Sequence, residues 1–201
     1  MFLFQSQAKP APRLSFIWIL IYLPLHQFIA QILRLDNAFL WLRVAFMLLV
    51  FVVLLLKQEG SQIREICIGR WLSKRSDWIA AGMCLLLVLV TQVFLSQMFH
   101  YRKETSSEYF MLAIAAPTNE EILFRGLFLA PLLPHFPRWP FGAVLLTTAI
   151  FIGCHDLTNS GWAVWSALAT QSIVYGVCYI WTGCVPACIF CHWLWNTLFF
   201  I

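Results

Sequence analysis

A succession of long apolar runs with very little charge inside them constrains this chain more than any other feature. The runs fall at about Leu14 to Leu33, Phe39 to Leu56, Trp78 to Phe99, Tyr109 to Leu133, Phe141 to Leu157, Trp162 to Trp181 and Val185 to Ile201. A bilayer's hydrocarbon core is about 30 Å thick, and a helix crosses it with about 20 predominantly apolar residues. The expected fold is therefore all-α, a polytopic membrane helical bundle of about seven transmembrane helices.

Composition supports the same class. Hydrophobic residues make up 61% of the chain and charged residues 11%, against about 25% charged in soluble domains. We expect one integral membrane domain over residues 1–201, with three spans and a basic loop in 1–108 and four spans in 109–201. The first run follows Lys9 and Arg13 and is too long for a signal-peptide core, so it reads as an uncleaved span. Between Lys57 and Asp77, Ile63, Ile66, Ile68 and Trp71 alternate with Arg64, Arg70, Lys74 and Arg75. That pattern suits a basic amphipathic segment on the membrane surface, a plain solvated loop being the other reading. The net charge of +4 arises mostly in short loops, where topology explains it and a nucleic-acid partner is not implied. Basic loop residues lie mainly on the N-terminal side, which predicts a cytoplasmic N-terminus in a multi-pass arrangement. Trp41, Trp78, Trp139, Trp162 and Trp181 stand near predicted helix ends, as interfacial anchors do.

Seven cysteines sit mostly in apolar segments and read as small hydrophobes, with no disulfide framework implied. Cys184, Cys188, Cys191 and His192 lie near one helical face and could be soft-metal ligands, but structural zinc sites favour C-x2-C pairs at turns. No metal or other cofactor is expected.

Charge inside a membrane run needs a reason, because an ionised group in hydrocarbon is costly unless it is paired or faces a wet cavity. The run Pro117-Thr118-Asn119-Glu120-Glu121-Ile122-Leu123-Phe124-Arg125 holds two carboxylates and a guanidinium. Residues four apart share a helical face, so Glu121 can pair with Arg125 while Glu120 projects about 100° away, available for another role. Pro117, Thr118 and Glu121 also have the form of a capping box at a helix start. The apolar run from Met111 to Ala116 leads straight into it, so a Pro-kinked or re-entrant helix would reconcile the two readings.

Two further elements carry chemistry: Phe151-Ile152-Gly153-Cys154-His155 near the end of the fifth run, and His192-Trp193-Leu194-Trp195-Asn196 in the last. In the second, spacing of four puts an imidazole and a carboxamide on one face. Each alone could be interhelical hydrogen bonding worth about 0.6 kcal/mol. Together, a carboxylate, two imidazoles and a carboxamide on three helices are the groups needed to add water to a carbonyl. A glutamate can serve as general base with a histidine sharing the proton, and a second histidine with asparagine can face a developing oxyanion. Two histidines and a glutamate could instead bind zinc, although the H-E-x-x-H spacing is absent.

At these residues the chain resembles the CPBP family of intramembrane proteases, which includes Rce1-type CAAX prenyl endopeptidases and bacteriocin-processing or self-immunity relatives. The resemblance rests on Glu120-Glu121-x-x-x-Arg125, Phe151-x-x-x-His155 and His192-x-x-x-Asn196 in the family's order, within residues 117–196. It implies a glutamic-type endopeptidase whose catalytic core is the last four helices. Glu120 and His155 would activate water, His192 and Asn196 would form the oxyanion hole, and Glu121, Arg125 and Phe151 would give structural support. The implied substrate is a membrane-anchored or lipidated protein. The orientation opens the site toward the extracytoplasmic half, as in sorting-type bacterial members such as myxosortases, and implies a bacterial inner membrane. The other function classes are a noncatalytic membrane scaffold or immunity protein and a zinc-dependent membrane protease.

Overall fold

A computed structural model describes residues 74–96, 111–155 and 161–200, with the isolated positions Leu49, Arg64, Ile68 and Leu72. The expected span at 14–33, that at 39–56 apart from Leu49, and most of the basic loop lie outside the described residues.

Helix α1 is Arg75–Ser96. Asp77 in its first turn reaches back to accept the Lys74 N–H at 3.2 Å, which satisfies one backbone donor at the helix start. Helix α2, residues 111–135, is irregular. It runs as a π-helix over Met111–Ala115, an α-helix over Ala116–Glu121, a second π-helix over Ile122–Leu129, an α-helical turn at Ala130–Leu132 and a 3₁₀ turn at Leu133–His135. Pro117 lacks the N–H that an α ladder requires, so the hydrogen-bond register has to change around it. Helix α3 is Pro140–Gly153, with proline in its first turn where no intrahelical donor is needed. Helix α4 is Trp162–Thr182. Gly183 stops it in the left-handed conformation at φ 64°, with its N–H bonded to the Tyr179 carbonyl at 2.7 Å, as a helix C-cap does. Helix α5, Val185–Phe200, follows at once.

The described residues are all-helical, as expected, and each of the last four expected runs overlaps a helix. Over these residues no helix is long and apolar enough to cross a membrane. Helix α4 packs against α1, α3 and α5, while α2 is held mainly by α5 and α3. One close approach fixes α3 on α4: a Cβ built on Gly176 would stand 2.6 Å from Val144 Cγ1. Only glycine lets the two helices meet at that point. The largest fully buried side chains include Trp195, Tyr175, Phe124, Phe128 and Phe151, and with them Arg125 and Glu121. Charge therefore lies at the centre of the packing.

The capping-box reading of Pro117, Thr118 and Glu121 is corrected. Ala115, where a cap would stand, is itself helical at φ −71° and ψ −47°, and no side chain caps this segment. Because the chain arrives already coiled, there are no orphan donors for Thr118 to accept from. Its hydroxyl instead donates to the Ile114 carbonyl at 2.6 Å. Trp193 Nε1–H of α5 reaches the same carbonyl and the Thr118 hydroxyl oxygen, each at 3.0 Å. The kinked-helix reading agrees with this geometry.

Candidate active site

Glu121 and Arg125 form the ion pair that their spacing implied. Arg125 Nε–H donates to Glu121 Oε2 at 2.9 Å, and both side chains are wholly buried. Burial of such a pair is offset as its remaining polar atoms find partners, and of these only Arg125 Nη1 has none among the described residues. Arg125 Nη2 reaches the Ser172 hydroxyl at 3.4 Å, and Thr148 donates to that same hydroxyl oxygen at 3.1 Å. The other oxygen of Glu121 faces His192 Nδ1 at 2.9 Å. Glu121 is thus more than a neutralising partner for Arg125. It joins α2 to α5.

Glu120, one position earlier, is 7% exposed and has an imidazole beside each carboxylate oxygen. His155 Nε2 stands 4.0 Å from Glu120 Oε1, and His192 Nε2 stands 4.0 Å from Glu120 Oε2. The other nitrogen of each ring is held. His155 Nδ1 meets the Phe151 carbonyl at 2.7 Å, and a carbonyl only accepts, so the proton is on Nδ1. In the neutral ring the His155 lone pair is then on Nε2, turned toward Glu120.

Aromatic side chains set the ring planes. Phe151 packs on His155 with centroids 4.5 Å apart and is itself met edge-on by Phe124 at 5.0 Å. Tyr175 of α4 stacks on His192 at 4.7 Å and 26°, with Arg125 Cζ 6.0 Å from the same tyrosine ring centroid. Two faces of the site are therefore walled by aromatics, a setting that strengthens hydrogen bonds formed inside it.

The structure thus brings together Glu120, His155 and His192, with Glu121 and Arg125 behind His192 and Phe151 behind His155. Asn196 is half-buried, one turn beyond His192 on α5. Cys184, Cys188 and Cys191 belong to the core cluster, and Cys188 Sγ–H donates to the Tyr175 carbonyl at 3.4 Å. Sequence spacing missed Tyr175, Ser172, Thr148 and Trp193. The available signal was the polar run Thr170, Gln171 and Ser172, with Tyr175 one turn on, in the middle of the fourth helix.

Chemically, the two 4.0 Å gaps are too long for direct hydrogen bonds. One water bonded at about 2.8 Å to both sides fits such a gap, with an angle near 90° at its oxygen. At the Glu120–His155 gap both neighbours accept, so that water would donate both protons and turn a lone pair outward. Ligands of a tetrahedral zinc at about 2.0–2.1 Å lie about 3.3 Å apart, closer than these pairs. Among the described residues no group of three or more His, Cys, Asp or Glu is arranged to hold a metal ion.

A carboxylate flanked by two oriented imidazoles within a helical bundle has the groups that general acid–base chemistry on a carbonyl compound requires. The sequence model of the type II CAAX prenyl endopeptidase Rce1-like family matches residues 102–198, so over those residues the chain is similar to the CPBP/CAAX protease family. Members of this family are hydrolases and membrane proteins. No curated protein and no solved structure matches the chain significantly.

Proposed function

We propose that this chain is an intramembrane glutamic-type endopeptidase that hydrolyses a peptide bond of a membrane-anchored or lipidated protein, in C-terminal processing or sorting. The observation that carries the reading is the symmetrical setting of Glu120, with an imidazole Nε2 at 4.0 Å from each of its oxygens. Glu120 takes a proton from the water between it and His155. The oxygen so activated attacks the scissile carbonyl, and His192 and Asn196 serve the carbonyl side of the site. Removing water from such a pocket raises the worth of each of these interactions.

The membrane setting is part of the same proposal. Large apolar side chains on the outside of the bundle support it, among them Trp78, Leu86 and Val90 on α1, Trp162 on α4 and Phe190 on α5, each more than half exposed. In water, so much exposed apolar surface would seek a partner. Here the partner is the bilayer, crossed by about seven helices with the N-terminus cytoplasmic, in a bacterial inner membrane.

The test uses the full chain purified in detergent or bilayer discs and supplied with peptides carrying a C-terminal lipid or an apolar anchor. Wild type is expected to cleave, and Glu120→Gln to lose cleavage by about 10²–10⁴-fold. Retained cleavage in Glu120→Gln sinks the assignment of the base. No cleavage of any anchored peptide, with a biological phenotype that Glu120→Gln leaves intact, favours a noncatalytic scaffold.

A further inference from the structure

His192 reaches the site with one nitrogen already committed. Its Nδ1 lies 2.9 Å from Glu121 Oε1, and the other oxygen of that carboxylate accepts the Arg125 Nε–H at 2.9 Å. A carboxylate engaged in this way is an acceptor on both sides, so the contact with His192 requires the proton on Nδ1. In the neutral ring the lone pair is then on Nε2, the nitrogen that faces Glu120 Oε2. A lone pair can take a proton but cannot donate a hydrogen bond to an oxyanion. His192 can serve the substrate's oxygen or nitrogen only after Nε2 has been protonated.

We propose that Glu121 is a positioning residue that fixes this tautomer, making His192 the carrier that passes the proton of the attacking water to the leaving amine. The inference rests on the hydrolase reading above and assigns the route of its proton. Glu120 stands between the two rings, with Oε1 toward His155 and Oε2 toward His192. The water O–H breaks, its proton goes to Glu120, and the oxygen forms the new bond to the carbonyl carbon as the π pair moves to the carbonyl oxygen. Rotation of the carboxyl brings that proton to the His192 side, and a second water, fitting the 4.0 Å gap between Glu120 Oε2 and His192 Nε2, relays it by giving one proton to Nε2 as it takes one from Glu120. When the tetrahedral intermediate collapses, the carbonyl re-forms, the C–N bond breaks and the amine takes the proton from Nε2. Water and amide become acid and amine, and both histidines and both glutamates end as they began.

Behind Glu121 the arrangement continues. Arg125 holds the carboxylate, Ser172 holds Arg125 Nη2, and Thr148 holds Ser172. Tyr175 fixes the plane of the ring by stacking on it. A pair that served only to neutralise charge would not need its second oxygen turned onto an imidazole. A third group that orients a base is the recurrent way of setting the ring's tautomer.

The test is ¹⁵N NMR of the full chain labelled at histidine, in detergent, with the His192 signals assigned by their loss in His192→Gln. The expected spectrum has the proton of neutral His192 on Nδ1, and Glu121→Gln gives a mixture of tautomers, because an amide can accept or donate. Glu121→Gln is also expected to lower kcat by about 10²–10⁴-fold with KM changed less than about threefold, and Glu121→Asp to recover part of the loss. A wild-type His192 with its proton on Nε2 overturns the proposal, as does a Glu121→Gln protein that is folded, inactive and unchanged in tautomer. If Glu121→Gln does not fold, the wild-type spectrum decides by itself. The tautomer is read without substrate, so failure to cleave any peptide counts against the hydrolase reading and an Nε2–H signal against this one.

Discussion

Replacing Arg125 with methionine keeps most of the side chain's volume and deletes its charge at the centre of the bundle. The structure sets the cost. Glu121 has no solvent exposure and two partners, Arg125 on Oε2 and His192 on Oε1. Arg125→Met leaves Oε2 without its charge-assisted donor, while Ser172 keeps Thr148. Breaking one partner out of a buried ion pair costs about 3–5 kcal/mol, which in a chain of this size lowers the thermal midpoint by roughly 6–20 °C. The double variant Arg125→Met with Glu121→Gln removes the stranded charge and is expected to recover stability over Arg125→Met alone, giving a coupling energy of at least about 1 kcal/mol. Arg125→Lys is expected to fall between, since an ammonium lacks the planar fork that serves Glu121 and Ser172 together. The assay is thermal unfolding of the four proteins in one detergent, followed by near-ultraviolet circular dichroism. Additive effects, or an Arg125→Met protein no less stable than an exposed-site control such as Leu145→Ala, would refute the view that this pair is held by mutual charge compensation.

Other consequences are open to similar measurement. Gly176→Ala drives a methyl into Val144 and is expected to cost about 1–3 kcal/mol in thermal or denaturant unfolding, with much of the loss restored by adding Val144→Ala. Trp193→Phe keeps the ring but loses the donor to Ile114 and Thr118, and is expected to cost about 1–2 kcal/mol and to speed amide exchange near residues 111–118. Treating the active protein with a strong chelator is expected to leave cleavage unchanged, whereas loss restored by zinc would turn Glu120, His155 and His192 into metal ligands.

Much of this is readable in the sequence. The Glu121–Arg125 pair follows from a spacing of four on one helix, and Phe151 with His155 follows from the same rule, although the atom that Phe151 offers is its carbonyl. Local spacing also separated Glu120 from Glu121. What it could not give was contacts across the bundle. The bond from His192 to Glu121 joins residues 71 apart, and that from Trp193 to Ile114 joins residues 79 apart. Such pairings depend on how helices cross, not on the period within one. The π turns of α2 were hidden for a related reason: Pro117 announces that the ladder must break, but whether the chain kinks, starts anew or widens is decided by what packs beside it, here Trp193. Tyr175 looked like one more aromatic in an apolar helix until its ring was found on His192.

The central claim is that Glu120 and His155 act as one unit on one water. Its most direct test is a double-mutant cycle on kcat in the peptide-cleavage assay, using Glu120→Gln, His155→Ala and both together. Each single change is expected to cost about 10²–10⁴-fold and the double variant to be little worse than either single one, since a unit already broken cannot be broken twice. Losses that multiply, or a Glu120→Gln protein that still cleaves at near wild-type rate, would contradict it.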